Sequence, residues 1–299
     1  MFAFRAMNTD VAIAAPTLDP AAEQRLAQQA ARLFADTERR FSRFVADSEL
    51  GRLNRATGSV VVSRELMELL CAAGRHVVET EGLFDPTIGG ALRAAGYDRS
   101  FSPGTLDHDA PPARAPPAHF AELAIDEPAR LVRRPPHLSI DLGGFLKGRT
   151  VDHAAALAPA PAMVDAGGDA MLRGNGPDGT GWLVEIEDPA DARHVLATLR
   201  LRDRAVATSA PNRRRWRAGD RAAHHLIDPR TGEPSRSDLA QVTVVAATAE
   251  QADVLAKVVF LLGATDGARR LDGQPGLGGA LVTRDGSLLL VGDLEVADA

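Results

Sequence analysis

The chain lacks several features that would point to common classes of protein. It has a single cysteine, Cys71, so an internal disulfide is excluded. Its 40 acidic residues outnumber its 34 lysines and arginines, and the net charge of -6 provides no basic field for nucleic acid or an anionic membrane. No apolar run is long enough to span a bilayer, and no secretory leader is recognisable. We therefore expect a cytoplasmic protein that binds small molecules or other proteins, without nucleic-acid binding or membrane insertion.

Lysine is also scarce, because Lys147 and Lys257 are the only two among the 34 basic residues. Arginine and lysine are not equivalent ligands, since the ammonium group is a compact charge whereas the guanidinium group is a planar fork. Each lysine is therefore a candidate for a position that requires a compact positive charge, although two lysines could also remain by chance.

The order of the predicted elements favours an α+β fold. Strands dominate and strict β-α-β alternation is absent, so we expect mixed or antiparallel sheets with flanking helices. A length of 299 residues suits one domain over residues 1–299 or two tightly joined subdomains, with an exposed proline-rich excursion near 100–117. Helical periodicity and caps predict helices at 20–44, 63–80, 145–157 and 249–262. Thr248 and Gln251 are placed as a capping box for the last of these helices, and Gly263 is its expected stop. Alternation predicts strands at 3–14, 138–142, 162–165, 182–186, 195–201, 205–208, 242–247, 279–283 and 287–291.

Two glycine-rich turns are candidates for phosphate binding. The segment Asp141–Gly148 places two glycines between a strand end and a helix start, where bare backbone can approach a phosphate and free N–H groups face outward. It is not a Walker A loop, since its lysine precedes the glycine. The segment Asp165–Asp169 repeats the pattern after the next strand. Either turn alone is better explained as structural, but two turns joined by one helix favour a shared cavity for a phosphate-bearing nucleotide.

A third candidate segment begins with two adjacent histidines, His224 and His225. In a strand their side chains point to opposite faces, and histidine is the usual general base near neutral pH. The histidine that faces the core is expected to be buried and hydrogen-bonded. The residues that follow, Asp228–Gly232, match a β-turn. No closely spaced cysteine or histidine ligands occur, so a zinc site is not expected.

Asp253 and Lys257 are four residues apart on the predicted helix at 249–262 and therefore share one face. An isolated pair of this kind is most simply an ion pair that stabilises the helix by about 0.2–0.5 kcal/mol.

Taken together and in order, these segments resemble the ApbE family, the FAD:protein FMN transferases, and the resemblance covers most of the chain. The matching segments are short motifs in the family's order: Met7–Thr9, Ser42–Asn54, Gly82–Thr87, Asp141–Gly148, Gly167–Asp169, Thr208-Ser209, His225–Gly232 and Ala252–Ala256.

The resemblance implies an ApbE-like fold and a phosphoryl-transfer reaction. A Thr or Ser hydroxyl of an acceptor protein attacks the FMN phosphorus of FAD, AMP leaves, and FMN stays attached through a phosphoester. Two alternatives remain open: a non-catalytic or weakly active FAD-binding protein, and an FAD pyrophosphatase that releases FMN and AMP.

The resemblance also implies roles for individual residues. His225 is the expected base for the acceptor hydroxyl. The expected cofactor-binding residues lie along the whole chain: Met7, Phe44, Ala95, Gly96, Tyr97, Asp141, Lys147 and Leu226. The family has an aromatic residue at the position of Ala95, so Tyr97 is expected to supply the flavin contact.

Magnesium is the family's cofactor, and here the sequence departs from the pattern. The resemblance places Mg²⁺ on the carbonyl of Gly144, on Asp253 and on a threonine at the position that Lys257 occupies. An ammonium group has no lone pair and repels a metal ion. Three interpretations are open: Lys257 swings aside and Mg²⁺ binds, Lys257 replaces the metal as the fixed cation, or the site binds FAD but turns over poorly.

Overall fold

A computed structural model of the chain describes residues 1–101 and 115–297, which form two units. The first unit comprises Met1–Asp36, Phe145–Ala210 and Ser237–Ala299, and the second comprises Thr37–Gly144 and Pro211–Arg236. The greater part of the predicted proline-rich excursion, residues 102–114, lies outside the described residues.

The structure contains strands and helices over both units. The strands are β1 (Phe2–Ala6), β2 (Thr9–Ala14), β3 (Val60–Val61), β4 (Ala124–Asp126), β5 (Leu131–Arg133), β6 (Ala162–Ala166), β7 (Asp169–Arg173), β8 (Trp182–Glu187), β9 (Val195–Leu201), β10 (Arg204–Ser209), β11 (Arg215–Ala218), β12 (Arg221–His224), β13 (Ile227–Asp228), β14 (Glu233–Pro234), β15 (Leu239–Ala246), β16 (Gly278–Thr283) and β17 (Leu288–Gly292). The α-helices are α1 (Pro20–Phe41), α2 (Glu49–Arg55), α3 (Arg64–Glu79), α4 (Gly89–Ala94), α5 (Leu146–Ala156) and α6 (Ala249–Leu271).

The first unit is built on an eight-stranded sheet in the order β1-β2-β6-β7-β10-β15-β16-β17, and every neighbouring pair is antiparallel. Because side chains alternate along a strand, the two faces of the sheet pack against different elements. Val11 and Val164 pack against Phe34 of α1 and Val151 of α5. On the other face, the β8–β9 hairpin packs against β7 and β10. The α+β prediction with flanking helices is confirmed.

The second unit consists of small sheets and short helices. Strands β3, β5 and β4 form a three-stranded sheet, and β11–β12 and β13–β14 are hairpins. Helix α4 and the β11–β12 hairpin share a buried cluster in which Leu92, Tyr97, Trp216 and Ile227 pack together.

Helix α6 follows its sequence signals closely. The Thr248 hydroxyl accepts the N–H of Gln251 over 3.2 Å, which is half of the capping box that the sequence predicts. The predicted stop at Gly263 is also observed, since its φ of 81° interrupts the helix before a second segment continues to Leu271. Asp238 Oδ1 accepts the N–H of Ala264 over 3.0 Å and so caps that second segment.

Two predicted strands differ from the structure. The single strand expected at 3–14 is the β1–β2 hairpin, because Met7 and Asn8 adopt φ of 48° and 60° and turn the chain. The strand expected at 138–142 is reduced to one bridge between Ser139 and Ile88. A side chain bonds this backbone in place of a neighbouring strand: the Asn54 amide donates to the carbonyl of Ile140 and accepts its N–H, each over 2.8 Å.

Helix boundaries differ less. The helix predicted at 20–44 ends at Phe41. Helix α2 was not predicted, and the Ser48 hydroxyl caps it by accepting the N–H of Gly51 over 2.8 Å. Within residues 1–101 and 115–297, no helix has the length and apolar character needed to cross a membrane.

Helices α5 and α6 touch at Gly148. A β-carbon on Gly148 would lie 2.3 Å from the carbonyl oxygen of Ala249, so only glycine permits this approach. The Asp152 carboxylate, one turn further on, accepts the N–H groups of Ala249 and Glu250 over 2.8 and 2.9 Å. Arg149 adds an ion pair to Glu250 at 2.9 Å. The start of α6 is therefore held against α5 by backbone contact and by charge.

Gly148→Ala is expected to lower the free energy of unfolding by about 1–3 kcal/mol, because the added methyl group forces the two helices apart. Urea titration followed by circular dichroism measures this difference. The matched control is Gly58→Ala, where a β-carbon meets no atom within 4 Å. Equal urea midpoints for the two variants would contradict the close packing of α5 on α6.

Candidate functional site

The second unit contains a buried ion pair between Arg43 and Asp141. Arg43 Nε donates to Asp141 Oδ2 over 2.5 Å, and its Nη2 donates to the carbonyl of Tyr97 over 2.8 Å. Asp141 Oδ1 accepts the N–H of Gly143 over 2.6 Å, so the same carboxylate shapes the glycine turn. The Arg43 side chain is only 5% exposed. The predicted FAD contact Asp141 is thus held in place by bonds to both of its oxygens.

Aromatic rings surround the Arg43 guanidinium group. It lies 4.0 Å from the centroid of Phe44 and 4.8 Å from that of Tyr97, within cation–π range. Tyr97 also neighbours Phe44 and Trp216, with centroids 5.3 and 5.5 Å away. Tyr97 and Trp216 are buried, and burial raises the pKa of the Tyr97 hydroxyl. Phe44 is 36% exposed, so among these three rings it is the one available for stacking.

The residues before Tyr97 set its position. Helix α4 ends at Ala94, and the carbonyl of the buried Ala95 accepts the indole N–H of Trp216 over 2.8 Å. Gly96 has a φ of 100°, in the left-handed region that favours glycine. Ala95 and Gly96 therefore contribute backbone geometry that turns Tyr97 toward Arg43.

The two adjacent histidines have different environments. His224 Nδ1 accepts the N–H of Leu226 over 3.3 Å, so Nε2 carries the proton and donates to the carbonyl of Ser235 over 3.0 Å. Both ring nitrogens of His224 are therefore engaged in hydrogen bonds. His225 is half-buried and stays the predicted base, whereas the predicted cofactor residue Leu226 is fully buried.

The first unit contains a cluster of four charges, formed by both lysines of the chain and two buried aspartates. Lys147 lies in the first turn of α5 and pairs with Asp169 Oδ2, while its Nζ donates to the carbonyl of Ala166 over 2.8 Å. On α6, Lys257 pairs with Asp253 Oδ1 and donates to the Asp253 carbonyl over 3.0 Å. Lys147 therefore contacts the last residue of β6 and the first residue of β7.

The β6–β7 turn brings Asp169 to this cluster. Gly167 and Gly168 have φ of 65° and 92°, as a two-residue hairpin turn requires, and Asp165 Oδ1 accepts the N–H of Gly168 over 3.1 Å. Asp169 begins β7 immediately afterwards, with its side chain 2% exposed. The turn therefore places the buried Asp169 carboxylate in contact with Lys147.

Electrostatics couple the two ion pairs. Burial raises the pKa of Asp169, the Asp253 carboxylate raises it further, and Lys147 and Lys257 oppose the rise. Asp253 Oδ2 is buried and has no hydrogen-bond partner among the described residues. A buried carboxylate oxygen of this kind costs free energy unless a ligand satisfies it.

The potential ligand atoms of this cluster do not fit a magnesium ion. Asp253 Oδ2 is a suitable oxygen, but Oδ1 of the same carboxylate already binds the Lys257 ammonium group. Two positive unit charges about 4 Å apart repel each other by about 4 kcal/mol at an effective dielectric constant of 20. The repulsion between the Lys257 ammonium group and a divalent ion at that distance would be twice as large. In residues 1–101 and 115–297, no three His, Cys, Asp or Glu side chains are arranged to hold a metal ion.

The predicted site residues fall into two sets. Most cofactor residues lie in the second unit, together with His225 and Gly144, whereas Lys147, Asp253 and Lys257 lie in the first. Met7 also belongs to the first unit, where it is half-buried against the helix-covered face of the sheet.

Arg43 and Trp216 were missed by sequence reasoning. Arg43 is 98 residues from Asp141, and Trp216 is 121 residues from Ala95. The only local signal is the placement of Arg43 directly before Phe44.

Known proteins resemble this chain over most of its length. A family model described as the ApbE family matches residues 7–281. The FAD:protein FMN transferase of Haemophilus influenzae is 30% identical over 248 residues, which cover 77% of this chain and 70% of that protein. The FAD:protein FMN transferase of Vibrio cholerae is 31% identical over 240 residues, covering 78% and 72%.

Solved structures share the fold. The ApbE protein of Thermotoga maritima superposes with a TM-score of 0.85 at 25% identity, over 97% of this chain and 96% of that one. The flavin transferase ApbE from Vibrio cholerae gives 0.78 at 24% identity, with the same coverage. The predicted ApbE-like fold is confirmed.

Arg43→Met is expected to destabilise the protein by about 3–5 kcal/mol, because it leaves the Asp141 carboxylate buried without its cation. Chemical unfolding of the purified variant measures the loss. Arg64→Met is the matched control, since the Arg64–Glu68 pair is exposed and its removal should barely move the midpoint. The double variant Arg43→Met with Asp141→Asn should recover part of the loss, and no recovery would show that the ion pair is not the cause.

Proposed function

The chain belongs to the ApbE family, and from this we propose that it is an FAD:protein FMN transferase. The acceptor is a protein whose Thr or Ser hydroxyl becomes esterified with FMN, and AMP is the second product. The observation that carries the proposal is the four-charge cluster: both lysines of the chain lie over buried carboxylates next to the first turn of α5. That helix has no side-chain cap at its N-terminus, a setting that suits phosphate.

The reaction exchanges one phosphorus–oxygen bond for another. The acceptor oxygen bonds to the FMN phosphorus, the bridging bond of the pyrophosphate breaks, and its electron pair leaves with the AMP phosphate. The hydroxyl proton passes to a base, for which His225 is the candidate. Catalysis of such a transfer depends on positioning and on charge neutralisation rather than on covalent chemistry by the protein.

The two lysines and the residues around Phe44 have different roles in this proposal. Lys147 and Lys257 supply compact positive charges for the phosphates of FAD. Phe44 offers a ring face to the flavin or adenine, while Arg43, which Asp141 holds, packs directly on that ring. Magnesium has no part in this proposal, because Lys257 already occupies the carboxylate that would bind it.

The proposal is tested by incubating the protein with FAD and an acceptor that carries a flavinylation threonine. Flavin fluorescence that stays with the acceptor on a denaturing gel, together with stoichiometric AMP, is the expected result. The control acceptor has that threonine replaced by valine and should remain dark. AMP and FMN without fluorescent acceptor would show a pyrophosphatase instead, and FAD binding without AMP would show a binding protein.

His225→Gln should slow FMN transfer by about 100-fold or more, since a positioned general base contributes that much or more to a rate. FAD affinity, measured by fluorescence titration, should stay within about twofold, because the change leaves the phosphate-binding lysines untouched. His194→Gln is the matched control, as the His194 side chain is 68% exposed. A His225→Gln enzyme that transfers FMN at the normal rate would remove His225 from the mechanism.

A further inference from the structure

We propose that the ammonium group of Lys257 is the fixed positive charge that meets the phosphates of FAD, so that FMN transfer by this protein requires no divalent metal ion. The inference rests on the proposed function, because it assigns the charge-neutralising group of that same reaction. It decides among the three interpretations of Lys257 that the sequence leaves open.

The Lys257 side chain is anchored on its own helix. Its Nζ pairs with Asp253 Oδ1 and donates to the Asp253 carbonyl over 3.0 Å, so the side chain folds back onto its own helix. An ammonium group has three donors, and these two contacts leave one for a ligand. The Lys257 side chain is 21% exposed whereas that of Asp253 is 6% exposed. The lysine is therefore the more accessible member of the pair, and the Asp253 carboxylate orients its charge.

The four charges of the cluster balance one another. Lys147 and Asp169 repeat the arrangement, with the lysine side chain 16% exposed and the aspartate side chain buried. Each buried carboxylate thus has its own ammonium group. A divalent ion would add two positive charges to a cluster that is already neutral, whereas the phosphates of FAD bring negative charge to two lysines that are partly exposed.

The second oxygen of the Asp253 carboxylate is suited to a further hydrogen bond. Asp253 Oδ2 is buried without a hydrogen-bond partner among the described residues, so it can accept a further donor. The Lys257 ammonium group on the same carboxylate opposes a cation there but does not oppose a neutral donor such as a hydroxyl group. The carboxylate is therefore suited to a hydrogen bond in the loaded site and unsuited to a metal.

In the transfer step, Lys257 remains protonated and forms no covalent bond. As the pyrophosphate bond breaks, negative charge grows on the oxygen that leaves with AMP, and a pre-positioned N–H donor stabilises that charge. The ammonium group is in place before FAD binds, since Asp253 holds it.

The test compares the wild-type protein with Lys257→Thr, in EDTA and with added MgCl2. AMP release and acceptor fluorescence give the rate, and loss of the free Mn²⁺ signal in electron paramagnetic resonance gives metal binding without any need for turnover. The wild-type rate should agree within about twofold in EDTA and in Mg²⁺, with no Mn²⁺ bound. Lys257→Thr should lose about 100-fold in EDTA, recover in part with Mg²⁺, and bind Mn²⁺.

A double variant, Lys257→Thr with Asp253→Asn, is the control and should bind no Mn²⁺. Wild-type activity that disappears in EDTA and returns with Mg²⁺ would overturn the inference and leave the proposed function standing. Wild-type Mn²⁺ binding that Asp253→Asn abolishes would also overturn it. If no protein releases AMP under any condition, the proposed function fails. Mn²⁺ binding by Lys257→Thr but not by the wild type would then still support Lys257 in the place of a cation.

Discussion

The contact between Gly148 and Ala249 determines where the charges of the first unit lie. Lys147 directly precedes Gly148 on α5, while Asp253 and Lys257 follow in the second and third turns of α6. The absence of a side chain at Gly148 lets the two backbones meet, and Asp152 ties the first N–H groups of α6 to α5. Because both helices pack on the antiparallel sheet, the β6–β7 turn can add Asp169 to the same place.

Burial of Asp169 and Asp253 is costly, and the two lysines offset part of that cost. Taking a carboxylate out of water costs several kcal/mol even after the protein relaxes, and a buried ion pair is often no more stable than apolar residues of the same volume. A core of apolar side chains would have served the sheet equally well. The four-charge cluster is therefore better explained by the chemistry it makes possible than by folding, and the same reasoning applies to Arg43 and Asp141.

Features of the fold that depend on neighbouring residues could be predicted from the sequence. The cap at Thr248, the break at Gly263 and the turn at Asp228–Gly232 are each written within a few residues, and all three are present in the structure. Strands could not be predicted correctly where side chains from distant parts of the sequence bond the backbone in place of a neighbouring strand. Asn54 bonds the backbone of Ile140 from 86 residues away, which removes a strand that alternation alone predicts. The site shows the same division, since the pairing of Lys257 with Asp253 was visible from its spacing but Arg43 was not.

The rarity of lysine gives the cluster a distinct chemical identity. Lys147 and Lys257 carry the only side-chain amines in the chain, and both are partly exposed. An amine-selective acylating reagent therefore has just these two side chains to modify, while the many surface arginines do not react with it. Shielding of either amine by a bound ligand becomes readable as a change in peptide mass, so occupancy of this cluster can be followed on the unmutated protein.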